Sequence, residues 1–360
     1  MEPSVHRMKI VIRTDSSLTL AGGHLSRCLA LAGRLRDGGA SVTFLCRDLE
    51  GSLFHWIDTA GFPLRRLPPG DLGDIEECAL TEEVLHARGQ TDWLIVDCYH
   101  LELGWESSLR KYAGRIMVID DIGDRSHDCD LLLDQNLHDN PEELYRDMVK
   151  SPICRKLFGP KYSLLRPEFA IRRDEVNPRG GDIRRILVSL GSTDRHNLTE
   201  AVLEAAALPQ FADVTFDIVL GPNNTRAKRL QGKFGRRPNW IYHAPAPDMA
   251  ALMGRADLAI GGAGMTTWER CCLGLPTLFI AGSDNEIPLA KAAEKIGIGK
   301  YMGKYDSIRP ETIADSIDGA GRHPEILKAW SAQAYDLVDG RGTERVCEAI
   351  YEYSPREAVR

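Results

Sequence analysis

The stretch MKIVIRTDSSLTLAGGHLSRCLALAGRLRDGG (residues 8–39) decides the fold. Its first seven residues form a short apolar run of strand character. A loop with two adjacent glycines follows, and then HLSRCLALAGRLRDGG (24–39). There Leu25, Cys28, Leu29, Leu31, Ala32 and Leu35 recur at helical spacing, and Gly38-Gly39 closes the helix. The same grammar continues with the strand-like SVTFLCR (41–47), TDWLIVDCY (91–99) and RIMVIDD (115–121). Short Val/Ile/Leu runs separated by amphipathic segments predict a parallel sheet covered on both faces.

At 171–185 the pattern lapses into IRRDEVNPRGGDIRR, which is charged, broken by Pro and Gly, and without periodicity. This predicts a linker. The alternation then restarts: RRILVSLGS (184–192), VTFDIVLG (214–221), NWIYHA (239–244), ADLAIGG (256–262) and PTLFIAG (276–282). From Pro310 onward the chain reads as helices. The expected architecture is α/β of GT-B type, two doubly wound Rossmann-like domains facing each other across a cleft, over residues 1–172 and 182–360. Ligands are expected where strand C-termini meet helix N-termini.

Composition agrees and removes other classes. At roughly 150 residues per domain, 360 residues suggest about two compact units. Hydrophobic residues make up 43% and charged residues 27%, a globular composition. The formal net charge of −7 argues against a nucleic-acid binder that tracks phosphates. It leaves room for a local anion pocket of backbone N–H groups. No apolar run approaches the length of a membrane span, and no secretory leader opens the sequence. The nine cysteines include no C-x-x-C pair, so neither a zinc site nor a disulfide framework is expected. A reduced, cytoplasmic protein is the plain expectation. The sequence sets no oligomeric state.

The chemistry is expected in the loops. The first runs from Arg13 through Asp15 to Gly22, Gly23 and His24. Paired glycines allow close backbone approach to a ligand. A histidine at the helix entry faces the N-terminal dipole, which favours neutral imidazole and suits a general base. The plainer reading is a glycine turn with an N-capping histidine. In the second half, Gly191, Ser192 and Asp194 follow one strand; Gly262, Ala263, Gly264, Met265 and Thr266 follow another. The latter group reads as an anion nest for a diphosphate. Neither a P-loop nor a dinucleotide fingerprint is matched, so no cofactor is called for. Glu269, one turn into the helix, can accept ribose hydroxyls or be a solvated acid. Asp128-Cys129-Asp130 fits the D-x-D pattern of metal-dependent sugar transferases but precedes an apolar run instead of following a strand, and Asp120, Asp121, Asp124, His127 and Asp128 look like hard-cation ligands. They read better as polar loop and capping residues, and no metal is expected.

These motifs in this order resemble a known family. RTDSS, GGHLSRCLALA, IVDCY, DDIGD, GPKYSLLRPEF, LGSTD and ERCCLGLP with a following DNE, spread over about 8–305, resemble the UDP-sugar hydrolase of pseudaminic acid biosynthesis. The nucleotide half of that family is related to the UDP-N-acetylglucosamine transferase of peptidoglycan synthesis. The resemblance implies hydrolysis of UDP-2,4-diacetamido-2,4,6-trideoxy-β-L-altropyranose to UDP and free sugar. It also implies roles: His24 the catalytic base, Tyr99 beside Asp97 the active-site tyrosine, and Asn285 an asparagine facing the sugar. The 262–266 loop would cradle the diphosphate and Glu269 would bind ribose. This chain departs from the family pattern at Ala21, where a loop glycine is usual, at Glu286, where Gln is common, and at Ser192 in place of a second glycine.

UDP is a stabilised leaving group, so its departure needs anion stabilisation more than a strong acid. The expected mechanism is inverting C–O cleavage by a water that His24 activates, with Tyr99 and Asn285 positioning the sugar. Two alternatives are carried: a GT-B glycosyltransferase using a UDP-sugar and a separate acceptor, and a UDP-sugar-binding protein without catalysis.

Overall fold

The computed structural model describes residues 7–353, except 71, 88, 90, 177, 178, 236 and 244–247. Chain contacts divide it into two compact units: residues 1–166 with 341–360, and residues 167–340.

The first unit is built on a seven-stranded sheet: β1 (Lys9–Thr14), β2 (Ser41–Arg47), β3 (Leu64–Leu67), β4 (Thr91–Asp97), β5 (Ala113–Ile119), β6 (Leu131–Asp134) and β7 (Arg155–Phe158). Their spatial order is β3-β2-β1-β4-β5-β6-β7, every pair parallel. Ile10, Val11 and Ile12 are fully buried because helices and loops cover both faces. The strand order reverses between β1 and β4, where Thr14 stands beside Asp97. The loops leaving these two strands therefore diverge, which opens a crevice at their C-terminal ends. The predicted first helix is found at Gly23–Asp37, with Leu25, Cys28, Leu31, Ala32 and Leu35 buried.

The second unit carries six strands: β8 (Arg185–Ser189), β9 (Thr215–Val219), β10 (Trp240–His243), β11 (Leu258–Gly261), β12 (Thr277–Ala281) and β13 (Gly299–Lys304). Their order is β10-β9-β8-β11-β12-β13, again parallel throughout. The reversal falls between β8 and β11, with Ser189 beside Gly261. Both loops singled out in this half leave the sheet at its switch point. Among the described residues, no helix is long and apolar enough to cross a membrane.

The expected boundaries, 1–172 and 182–360, need correction at both ends. Helix Pro167–Arg173 belongs to the second unit: Phe169 is fully buried, and Arg173 donates to the carbonyls of Cys272 and Val338. Residues 171–173 of the expected linker are thus helical, and β8 begins at 185. Asn177 and Pro178 of that linker lie outside the described residues. The last helix, Gly342–Glu352, returns to the first unit. Its Val346, Cys347, Ala349 and Ile350 enter the same core as Leu31 and Leu35. At about 1.5–3 kcal/mol for each fully buried branched side chain, that contact is a substantial part of the first unit's stability.

Candidate active site

In the first unit the β1 loop turns back on itself before the helix. Ala21 takes φ +57, with its N–H donated to the Ser17 carbonyl at 2.9 Å. An L-residue in this left-handed conformation costs about 1–2 kcal/mol. Ala21 thus holds a left-handed conformation at the position where the resembling family usually has glycine. At Gly22 a side chain would press on Leu53 and Trp56 at 2.9 Å, so this position needs the missing Cβ for packing.

His24, in the first turn of the helix, aims Nδ1 at Asp97, the last residue of β4, at 2.6 Å. Arg27, one turn later, grips the same carboxylate through Nε at 2.7 Å and Nη2 at 2.6 Å. Burial by itself would raise the Asp97 carboxyl, but the Arg27 charge and the hydrogen bonds from Arg27 and His24 outweigh it and hold Asp97 well below the usual carboxylate range. Facing an ionised oxygen at this distance, Nδ1 must carry a proton and donate it. Nε2 is then the basic nitrogen. A carboxylate that fixes the tautomer and orientation of an imidazole is the arrangement a general base requires.

Tyr99 stands against this pair. Its ring meets His24 edge-to-face at 4.6 Å, and its hydroxyl donates to Asp121 at 2.8 Å. Burial and the Asp121 charge push the phenol far above its ordinary range, so Tyr99 stays protonated and serves as a donor. Arg27 also reaches Asp121, at 2.9 Å, and so ties both carboxylates together. A cavity of about 510 Å³ opens here, lined by His24, Asp97, Tyr99, Asp15, Arg47 and His100 among others.

Arg13, expected to touch substrate, is instead fully buried. It pairs with Asp15 at 2.5 and 2.8 Å and donates to Glu77 at 2.9 Å. Asp15 also accepts from the Arg47 backbone at 2.7 Å, and it does reach the cavity wall. Asp15, Cys98 and His100 are close enough to share a metal ion. The Asp15 carboxylate is already engaged by the Arg13 and Arg47 guanidinium groups, and His100 Nε2 lies 3.1 Å from Glu77.

The acidic cluster after β5 resolves into loop scaffolding. Asp120 caps the turn by accepting from the N–H groups of Asp121, Ile122 and Gly123. Asp128 and Asp130 pair with Arg110. His127 lies between Glu106, at 2.8 Å, and Asp120. Although burial opposes its charge, these two carboxylates lift it to about 9.

In the second unit, the loop from β8 is shaped by Asp194. Its carboxylate accepts from the N–H groups of Leu198 and Thr199, at 2.8 and 3.0 Å, and so caps helix Leu198–Ala206. This expected substrate contact is spent on the helix. Gly191 is exposed, and the buried Ser192 hydroxyl is without a hydrogen-bond partner among the described residues. Gly221 packs so tightly on this loop that a Cβ would lie 2.3 Å from the Ser192 carbonyl oxygen.

The Gly262–Met265 loop holds a resident anion. Glu286 accepts from the Ala263 N–H at 3.2 Å and the Gly282 N–H at 2.9 Å, and it lies close against Gly262 and Gly264. Burial raises its carboxyl above the usual range even though both N–H groups and Arg270 counter it. Arg270 spans the loop, donating to the Gly262 carbonyl at 2.6 Å and to the Thr266 and Thr267 hydroxyls. Glu269 is half-buried in the first turn of helix Thr266–Cys272. Asn285 is exposed beside Ser283, whose hydroxyl donates to it at 2.5 Å.

Sequence reading singled out His24, Asp97 and Tyr99, and the structure brings these three together. It missed Arg27 and Asp121 as parts of the same constellation. Arg27 falls one turn after His24 on the same helix face, and that spacing was the available signal.

Residues 185–335 match the glycosyltransferase family 28 C-terminal domain. The spore coat polysaccharide biosynthesis protein SpsG of Bacillus subtilis is 27% identical over 200 residues, covering 55% of this chain and 59% of that protein. The chain thus spans less than two thirds of that relative. The UDP-2,4-diacetamido-2,4,6-trideoxy-beta-L-altropyranose hydrolase of Campylobacter jejuni is 29% identical over 235 residues, covering 65% of this chain and 77% of it. The crystal structure of MurG from Acinetobacter baumannii superposes with a TM-score of 0.66 at 14% identity, covering 96% of this chain and all of that one. The second unit therefore matches a glycosyltransferase family 28 C-terminal domain over residues 185–335, and the chain is built on the GT-B fold.

Proposed function

We propose that this protein hydrolyses a UDP-linked 2,4-diacetamido-2,4,6-trideoxyhexose to UDP and the free sugar. The observation that carries the reading is the Asp97–His24 pair opening on a cavity with Tyr99 at its wall. A hydrolase must activate water with a base whose tautomer is fixed, and His24 Nε2 meets that need. The Tyr99 hydroxyl, its proton donated to Asp121, offers its oxygen as an acceptor to the sugar or the attacking water. The family 28 match of the second unit supports a nucleotide sugar as the ligand class, and the Campylobacter relative supports this substrate in particular.

His24 takes a proton from water as oxygen attacks the anomeric carbon, and UDP leaves as the anomeric C–O bond breaks, with inversion. The resulting imidazolium is stabilised by Asp97. A base so placed contributes about 10²–10⁴ in rate. The nucleotide would be held by Ser192, the Gly262–Thr266 loop and Glu269 of the second unit, and Asn285 would face the sugar.

The competing reading is transfer of the sugar to a separate acceptor, and the MurG likeness in fold leaves it standing. UDP release from UDP-diacetamido-trideoxyhexoses, measured without acceptor in ¹⁸O-water, decides between them. Label in the sugar, lost with His24→Ala, supports hydrolysis at carbon. Label in UDP would place attack at phosphorus, and UDP release only on adding an acceptor would make the protein a transferase.

A further inference from the structure

The sulfur atoms of Cys129 and Cys154 lie 3.6 Å apart in the first unit, away from the cavity residues. They flank the first rung of the β6–β7 ladder, where Leu131 pairs with Arg155 and the Arg155 N–H donates to the Asp130 carbonyl at 3.0 Å. Cys129 is fully buried and Cys154 partly exposed, so a small reagent reaches only the second directly.

The two thiols are also electronically unequal. Their mutual hydrogen bond is the main cause, raising Cys129 and lowering Cys154. Burial adds to the rise of Cys129; at Cys154 burial and the Asp130 charge oppose the fall, and the nearby Lys156 favours it. All eight other cysteines are shifted upward. Cys154 is therefore the one thiol that combines exposure, thiolate character and a second sulfur within reach, the features of an oxidisable pair.

We propose that Cys129 and Cys154 form a modification site, a dithiol that hydrogen peroxide converts to an intrachain disulfide. The Cys154 thiolate attacks a peroxide oxygen. The O–O bond breaks, and the departing hydroxide takes a proton from solvent as water, leaving a sulfenic acid. Cys129 then attacks that sulfur. Its thiol proton leaves with the displaced hydroxide as a second water, and the S–S bond forms. Two electrons pass from the sulfurs to one peroxide, and the sum is two thiols plus peroxide to disulfide plus two waters.

The product would staple β7, an edge strand with β6 as its neighbour. The closed ring contains Asp134 and Tyr145, whose hydroxyl donates to Asp134 at 2.8 Å and to Asp120 at 3.1 Å. Oxidation thus fastens the segment that supports the Asp120–Asp121 turn.

The test treats the folded full chain with stoichiometric hydrogen peroxide, counts thiols after denaturation, and maps peptides by mass. The expected result is loss of two of the nine thiols and a linked pair of peptides containing Cys129 and Cys154. A rise in Tm of roughly 5–10 °C, reversed by dithiothreitol, should accompany it. Cys154→Ser should abolish the link, and Cys78→Ser should leave it intact. Cys154 recovered as sulfinic acid with Cys129 still free, or a disulfide between any other pair, overturns the proposal. The wild-type peptide map decides this even where a variant fails to fold.

Discussion

Replacing Asp97 by asparagine separates what the carboxylate does for stability from what it does for the base. In the native protein it accepts His24 Nδ1–H at 2.6 Å and two Arg27 N–H groups at 2.6 and 2.7 Å. Asparagine keeps the shape, loses the charge, and turns one acceptor into a donor facing either the guanidinium or the imidazole. Removing one partner of a buried ion pair costs about 3–5 kcal/mol. Asp121 still neutralises Arg27 at 2.9 Å, which places the expectation at the low end, about 3 kcal/mol. In a unit of this size that lowers Tm by roughly 6–12 °C, readable by circular dichroism. At 25 °C the variant stays folded, and turnover should fall about 10³-fold because the imidazole loses its fixed tautomer. UDP affinity, measured by calorimetry, should change less than about threefold, since the proposed nucleotide contacts lie in the second unit. A double variant with His24→Ala should be no slower than His24→Ala alone, because the two residues act as one device. The acid limb also changes. A depressed carboxyl contributes stability that is present above about pH 4 and lost as pH falls through its folded value. Asp97→Asn should lack this loss. Turnover within about threefold of wild type would refute the assignment of Asp97 and His24 as a dyad.

Other outcomes follow from neighbouring features. His127, lifted to about 9, is charged in the folded state, so its contribution is complete below about pH 6.5 and fades as pH rises through 9. Urea midpoints should fall over that window by the equivalent of about 3 kcal/mol, and His127→Gln should flatten the trend. Glu286→Gln should bind UDP more tightly and with less pH dependence in calorimetry, because it removes a carboxylate bound to the Ala263 N–H; unchanged affinity and pH profile would separate that loop from the nucleotide. Gly221→Ala should push the Gly191–Ser192 loop aside and weaken UDP binding at least tenfold, as its Cβ would lie 2.3 Å from the Ser192 carbonyl oxygen. Crystallography of that variant would reveal the displaced loop.

Much of the scaffold was legible because a strand buried on both faces has a recognisable composition. β1, β2, β4, β8 and β9 announce themselves as Val/Ile/Leu runs, and Gly38 ends the first helix as its position suggests. Edge strands β3 and β7 were illegible, since LRRL and RKLF carry charge along an exposed border. The last helix has the same amphipathic face whichever unit it covers, so periodicity could not assign it. Within the site, His24 and Tyr99 stood out by chemistry and motif. The spacing of Arg27 from His24 places both on one helix face, but its partners Asp97, at the end of β4, and Asp121, in the loop after β5, are brought to it only by the fold. Asp194 misled for a related reason: a capping aspartate and a ligand-binding one look alike in sequence.

The return of helix Gly342–Glu352 to the first unit has a consequence for biosynthesis. The second unit, Pro167–Gly340, is one uninterrupted stretch and is complete once its own residues leave the ribosome. The first unit, although translated earlier, has a core around Leu31 and Leu35 that is completed only when Val346 and Ile350 emerge. The last stretch to be translated thus closes the core of the first-translated unit, which cannot be complete before the second unit has emerged.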